Sequence, residues 1–150
     1  MHLKVPPPII LLLAMIGMYF LSVYWPLRYF SFQGQLWLAL ILCCLGTLLP
    51  VAGFVSFQKA RTTVNPHQPE SSSHLVTSGV YRLSRNPMYL GFSLILLAAF
   101  VYFGSLSSLL MFPAFIAYIN YFQIKPEEAI LEGLFAEEYL QYCQQVRRWC

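Results

Sequence analysis

The chain has 150 residues, room for one domain, of which 58% are apolar and only 10% charged. A soluble domain carries about 25% charged residues, so this chain cannot cover itself with polar surface and reads as an integral membrane protein. Its net charge of +3, with no basic run longer than Arg147-Arg148, gives no footing for a nucleic-acid partner.

A first membrane span is predicted over residues 8–25. It has no small-residue cleavage pattern and ends in aromatic residues, which separates it from a removable signal peptide. A second span covers 36–57 with Pro50 and Gly53 inside it, a combination bilayer helices tolerate when neighbours re-satisfy the backbone. The apolar region from Met88 to Ile124 is nearly twice one span, and Gly104-Ser105 near its middle marks a turn. It reads as a tight hairpin of two spans, 88–103 and 106–124.

Four spans put the N-terminus, the middle loop and the C-terminus on one side. Those segments hold Lys4, Lys59, Arg61, Arg82, Arg85, Lys125, Arg147 and Arg148, against Arg28 alone on the other side. The bias predicts that both termini and the middle loop face the cytoplasm, in a bacterial inner membrane or an internal one. Trp25, Tyr29 and Phe30 fit an aromatic belt on the far side. All six acidic residues are glutamates, and all fall in the predicted cytoplasmic segments. The four cysteines and three histidines lack zinc or disulfide spacing, and Cys43 and Cys44 read as small, buried apolar residues of the second span, so no metal is expected.

The first polar segment, residues 59–87, is long for a connector, and long loops are often functional. Asn86-Pro87 has the form of a helix start, with Asn86 as N-cap and Pro87 at the first helical position. Free backbone N–H groups and a positive dipole end beside Arg85 suit a carboxylate or another anion; a plain helix cap with Arg85 at the lipid interface is the competing reading. The second polar segment begins at Lys125. Pro126 can open a helix, Glu127 and Glu128 suit its first turn, and apolar residues recur at Ile130, Leu131, Leu134, Phe135, Tyr139 and Tyr142. An amphipathic helix folded back along the cytoplasmic interface is expected. Glu137 and Glu138 read as a solvated face. Glu127 and Glu128 emerge directly from the bilayer, where ionisable groups are functional candidates, able to accept hydrogen bonds from hydroxyls or hold a cation. The expected architecture is thus an all-α integral membrane protein, one domain over 1–150, with about four transmembrane helices and a C-terminal cytoplasmic amphipathic helix.

The stretch LVTSGVYRLSRNPMYLG, followed about 35 residues later by EEAILEGLFAEEYLQYCQQVRRW, resembles the isoprenylcysteine carboxyl methyltransferase family. These are multi-pass membrane enzymes that use S-adenosylmethionine and are related to phospholipid methyltransferases. The resemblance covers roughly residues 62–149. It implies that segments 62–91 and 125–149 form the cofactor site, with Ser73, His74, Leu75, Val76, Tyr81, Arg85, Asn86, Pro87, Met88, Tyr89, Gly91 and Glu127 binding the cofactor. Arg85 and Glu128 are the catalytic candidates. Arg85 would favour the cofactor carboxylate, Glu127 its ribose or ammonium, and Tyr81, Tyr89 and Leu75 its adenine or sulfonium. The methyl acceptor implied is a lipophilic or small molecule bearing a carboxylate, thiol or amine, and membrane lipid is the other partner. Glu128 or His74 would serve as base for an amine or neutral thiol.

The chain departs from the family pattern at four places. Asn86 stands where the family has a histidine, so a proton shuttle is not expected there. Ala136 stands for a glycine in Phe135-Ala136-Glu137-Glu138-Tyr139, and Arg147 for a proline in Val146-Arg147-Arg148. Gln123, with Lys125 near it, takes the place of a substrate-side arginine, which counts against a prenyl-cysteine carboxylate as substrate. A membrane NADPH-dependent reductase of the sterol-reductase type and a non-catalytic membrane scaffold are the alternatives. The reductase would need more basic groups for the 2′-phosphate.

Overall fold

A computed structural model describes residues 5–59 and 75–150. Its elements, in chain order, are α1 (Pro7–Tyr24), α2 (Gln35–Lys59), a 3₁₀ turn (Gly79–Arg82), α3 (Pro87–Phe103), a 3₁₀ turn (Leu106–Leu110), α4 (Met111–Ile119), a π turn (Asn120–Ile124) and α5 (Lys125–Gln145). The described residues hold no strand, only an isolated antiparallel bridge between Tyr29 and Ser105. α1, α2 and the run Leu106–Gln145 are each long and apolar enough to cross a membrane, and α3 is a shorter apolar helix. The chain is a multi-pass, all-helical membrane protein.

Each span forms where apolar residues run together, and proline or glycine marks the start of α1 and both ends of α3. Pro7 opens α1, where a missing N–H costs nothing. α3 opens with Pro87 and closes at Gly104, whose φ of +60° few other residues adopt. The core lies among α1, α3 and α4. Leu11, Ala14 and Met18 form one face of α1 and meet Leu96, Phe115 and Ile119. The opposite faces of α1 and α2, including Leu12, Leu13, Ile41 and Leu48, are exposed and suit contact with lipid.

α2 and α3 approach more closely than ordinary side chains allow. Gly46, Pro50 and Gly53 lie on one face of α2. A Cβ on Gly91 would sit 2.6 Å from the Gly46 carbonyl oxygen and still closer to the Pro50 ring. Pro50 has no N–H to offer the Gly46 carbonyl four residues earlier. That carbonyl instead turns toward α3, where Gly91 leaves room for it. A Cβ on Gly53 would lie 3.1 Å from Met88 and 3.5 Å from the Tyr81 hydroxyl. The contact therefore fixes the start of α3 and the turn before it against α2.

The ends of the spans are tied on the side opposite the polar segments. Gln35 Nε2 donates to the Val101 carbonyl at 2.6 Å. Phe30 N donates to Gly104 O at 2.7 Å and Leu106 N to Arg28 O at 2.9 Å. The expected hairpin at Gly104-Ser105 is present, closed by these bonds.

Three expectations are corrected. Cys43 and Cys44 are exposed on α2 rather than buried. Pro126 lies in the first turn of α5 as expected, but α5 does not fold back there. The fourth span passes into α5 without interruption because the π turn absorbs the proline: the Lys125 N–H reaches back to Asn120 O, and the widened turn accommodates the donor that Pro126 lacks. The break comes later, at Ala136, with φ +38° and ψ −109°. Asn86 stands at the N-cap position of α3, but its side chain makes no capping bond. It reaches across to the Arg148 carbonyl instead.

Two stability measurements check this account. Gly91→Ala should lower stability in detergent by about 1–3 kcal/mol, the cost of forcing a methyl group into a filled contact. Ala136→Gly should raise it by about 1 kcal/mol, because a non-glycine residue in this conformation stores strain.

Candidate active site

The site is built where the start of α3, the start of α5 and the chain end meet. Gly79, with φ +64° and its Cα against Ser56, turns the chain along α2. The 3₁₀ turn that follows buries Tyr81, edge-on to Phe57 at 5.4 Å between ring centroids. Tyr142 donates its hydroxyl to the Tyr81 carbonyl at 2.7 Å, joining α5 to this turn. Val76, Tyr81, Tyr139 and Tyr142 form a small apolar cluster with Leu75 packed beside it. Burial pushes the Tyr81 hydroxyl pKa well above its ordinary value, with the nearby Tyr142 and Glu127 adding to the rise, so the group stays protonated.

Two carboxylates follow one another in the first turn of α5 and have different surroundings. Glu127 accepts from the Tyr89 hydroxyl at 2.5 Å through Oε1; among the described residues its Oε2 carries no hydrogen bond. Burial pushes the Glu127 carboxyl up to about 7, the Tyr89 hydrogen bond opposes the rise and the charge of Glu128 adds to it. Glu128 is held by two arginines. Arg148 bonds it with both ends of its fork, Nε to Oε1 at 3.0 Å and Nη2 to Oε2 at 2.6 Å. Arg85 Nη2 stands 3.4 Å from Oε1. Arg85 also donates through Nη1 to the Cys143 sulfur, and its buried Nε has no partner among the described residues.

Of the residues singled out from the sequence, Arg85, Asn86, Tyr89, Glu127 and Glu128 converge on this cluster. Tyr81, Leu75 and Val76 border it. Pro87 is buried at the head of α3. Met88 and Gly91 face α2, where they set helix packing. Ser73 and His74 lie outside the described residues. Sequence reasoning passed over Ser84, Cys143 and Arg148 as members of the cluster. Arg148 was visible as part of the motif at Val146-Arg147-Arg148, but no periodicity ties it to Glu128, 20 residues earlier. Ser84 accepts the Asn86 N–H at 3.0 Å, close to the role expected of Asn86 itself.

Taken together, among the described residues the cluster offers a guanidinium donor at Arg85 Nε and an acceptor at Glu127 Oε2 that no side chain or backbone group engages. Such a pair suits a ligand carrying both an anionic group and hydroxyl or ammonium donors. It lies where the spans meet the polar segments. Residues 34–138 match the phospholipid methyltransferase family.

The chain belongs to that family. A protein-S-isoprenylcysteine O-methyltransferase of Schizosaccharomyces pombe is 30% identical over 108 residues, 72% of this chain. The match takes in 46% of that protein, so the chain spans about half of its length. An uncharacterised protein of Haemophilus influenzae is 48% identical over 62 residues, covering 41% of this chain and 98% of that protein. No solved structure matches. The family resemblance read from the two polar segments is therefore shown, and the chain is a membrane protein of a methyltransferase family.

The opposing causes at Glu127 can be separated by infrared titration of its carboxyl band. Tyr89→Phe removes the one contribution that lowers the midpoint and should move it above 7. Glu128→Gln removes a raising contribution and should move it down.

Proposed function

We propose that the chain transfers a methyl group from S-adenosylmethionine to a lipophilic or small-molecule acceptor at the cytoplasmic face of the membrane. The observation that carries this reading is that Glu128 in the first turn of α5 contacts Arg85, just before α3, while its chain neighbour Glu127 is bonded by Tyr89 of α3, within a chain of this family. The donor, when bound, supplies a methyl group on a sulfonium that is already a good leaving group. Arg85, whose Nε is unpartnered among the described residues, favours the donor's carboxylate. Glu127 Oε2 accepts from ribose hydroxyls or the ammonium, with Tyr89 fixing the carboxylate from the other side. Tyr81 and Leu75 offer an apolar wall for the adenine. The chain's part in the chemistry is then mostly alignment and exclusion of water, effects that can lower a barrier by about 7–11 kcal/mol.

The acceptor is proposed to enter from the bilayer. The S. pombe relative's name specifies an isoprenylcysteine substrate and the family's name a phospholipid; both are lipophilic, and carboxylate, thiol and amine acceptors all fit that class. A carboxylate or thiolate needs no base. For an amine or neutral thiol, Glu127 suits proton acceptance better than Glu128, because both Glu128 oxygens are engaged by arginines. Glu128 is accordingly assigned as the anchor of Arg85 and Arg148. The basic residues of the polar segments place both termini on the cytoplasmic side in this reading.

Calorimetric binding of S-adenosylhomocysteine to the protein in lipid nanodiscs tests the proposal. Binding is expected, and Glu127→Ala should abolish it while leaving the thermal unfolding profile intact. The ionised form of Glu127 is the one that accepts hydrogen bonds, so binding below about pH 7 must expel a proton. Affinity should then rise about tenfold per pH unit up to that point and level off above it. Stabilisation by NADPH in place of S-adenosylhomocysteine would move the reading to a reductase, and stabilisation by neither to a scaffold.

A further inference from the structure

The tail beyond α5 folds back over the site. Val146 leaves the helix in an extended conformation. Arg147 O then accepts from Arg85 N at 3.0 Å. Arg148 O accepts from Ser84 Oγ at 3.2 Å and from Asn86 Nδ2 at 3.1 Å. The Arg148 side chain grips Glu128, and Trp149 Nε1 donates to Asn120 Oδ1 in the π turn at 3.3 Å. One short strap thus joins the segment before α3, the first turn of α5 and the π turn.

The geometry at Glu128 is a competition between two arginines. Arg148 takes both oxygens at hydrogen-bond distance and leaves Arg85 only a 3.4 Å ionic contact. We propose that the strap Val146–Cys150 positions the donor site, with Arg148 as a positioning residue that occupies Glu128 and so keeps Arg85 available to an anion. The proposal rests on the reading of Arg85 and Glu127 as the donor-binding pair. Without the Arg148 guanidinium, Glu128 is a partly buried carboxylate paired, among the described residues, with Arg85 alone. Arg85 would close onto it and be withdrawn from the ligand. The Arg148 carbonyl adds a second restraint by holding Asn86, which explains what an asparagine does at this position without any proton transfer.

The experiment is binding of S-adenosylhomocysteine to the full chain in nanodiscs, with thermal unfolding measured alongside. Arg148→Ala should weaken binding roughly tenfold or more, the scale of one lost charge-assisted interaction. Adding Glu128→Gln to Arg148→Ala removes the carboxylate that captures Arg85 and should recover a substantial part of the affinity. A strap that only supports the fold predicts the reverse, since the second substitution removes yet another contact. Wild-type affinity in Arg148→Ala, or a double variant as weak as the single one, overturns the proposal. Arg148→Lys, which keeps the charge without the fork, should fall between wild type and alanine and serves if the alanine variant does not fold. If the native chain binds no S-adenosylhomocysteine, the donor reading fails on its own. The strap is then read by hydrogen exchange at the Arg85 amide, which should be protected in the native chain and lose protection on truncation after Gln145. An unprotected amide in the native chain overturns the strap as well.

Discussion

Hydrocarbon offers no hydrogen bonds, so every backbone group within the bilayer must find its partner inside the protein. That constraint makes the spans helical, and it also governs how they are interrupted. Pro50 removes a donor within α2, and the freed Gly46 carbonyl is turned against α3 at Gly91. Pro126 removes another where the fourth span ends, and a π turn opens to accommodate it. At the far ends of the spans, Gln35 caps α3 and the Phe30 and Leu106 amides find the Gly104 and Arg28 carbonyls. With polar groups satisfied locally in this way, the ion pairs among the described residues gather at one end of the bundle, around Glu128.

The spans were legible because their signal is local: long apolar runs and a Gly-Ser turn. The start of α3 was legible at Asn86-Pro87 for the same reason. What the sequence could not display was the route of the polar chain ends. Nothing in residues 125–150 announces that Val146 turns the chain back, so the pairing of Arg148 with Glu128 was hidden. The fold-back of α5 was expected at Pro126 because a proline suits the first turn of a new helix. The neighbouring π turn that defeats this expectation has no sequence signature of its own. Gly91 belonged to a motif, and its motif membership concealed that its immediate work is packing against Pro50.

The candidate site uses adjacent carboxylates for different ends. Glu127 and Glu128 share one helical turn but project to different neighbours, one to a tyrosine hydroxyl and the other to two arginines. Apolar surroundings and a neutral donor leave Glu127 able to change protonation near neutrality. The fork of Arg148 leaves Glu128 engaged at both oxygens. A pair that looks redundant in the sequence is therefore divided by its surroundings into a group able to respond to a ligand and a group that holds its neighbours in place.

The departures from the family pattern follow the same logic. At position 136 a glycine is expected, and the backbone there adopts a positive φ that glycine accepts freely; Ala136 keeps the bend and bears its strain. The bend lies between the first turn of α5 and Tyr139 and Tyr142, and it lets one helix carry Glu127 and Glu128 at its start and still bring its later tyrosines onto Tyr81. At position 86 a histidine is expected, and Asn86 spends its side chain on the Arg148 carbonyl. Each position is thus explained by what it does here: Ala136 carries the bend, and Asn86 holds the Arg148 carbonyl. The arrangement of the cluster depends on that bend and that contact, and in the proposed reading its chemistry rests with Arg85 and Glu127.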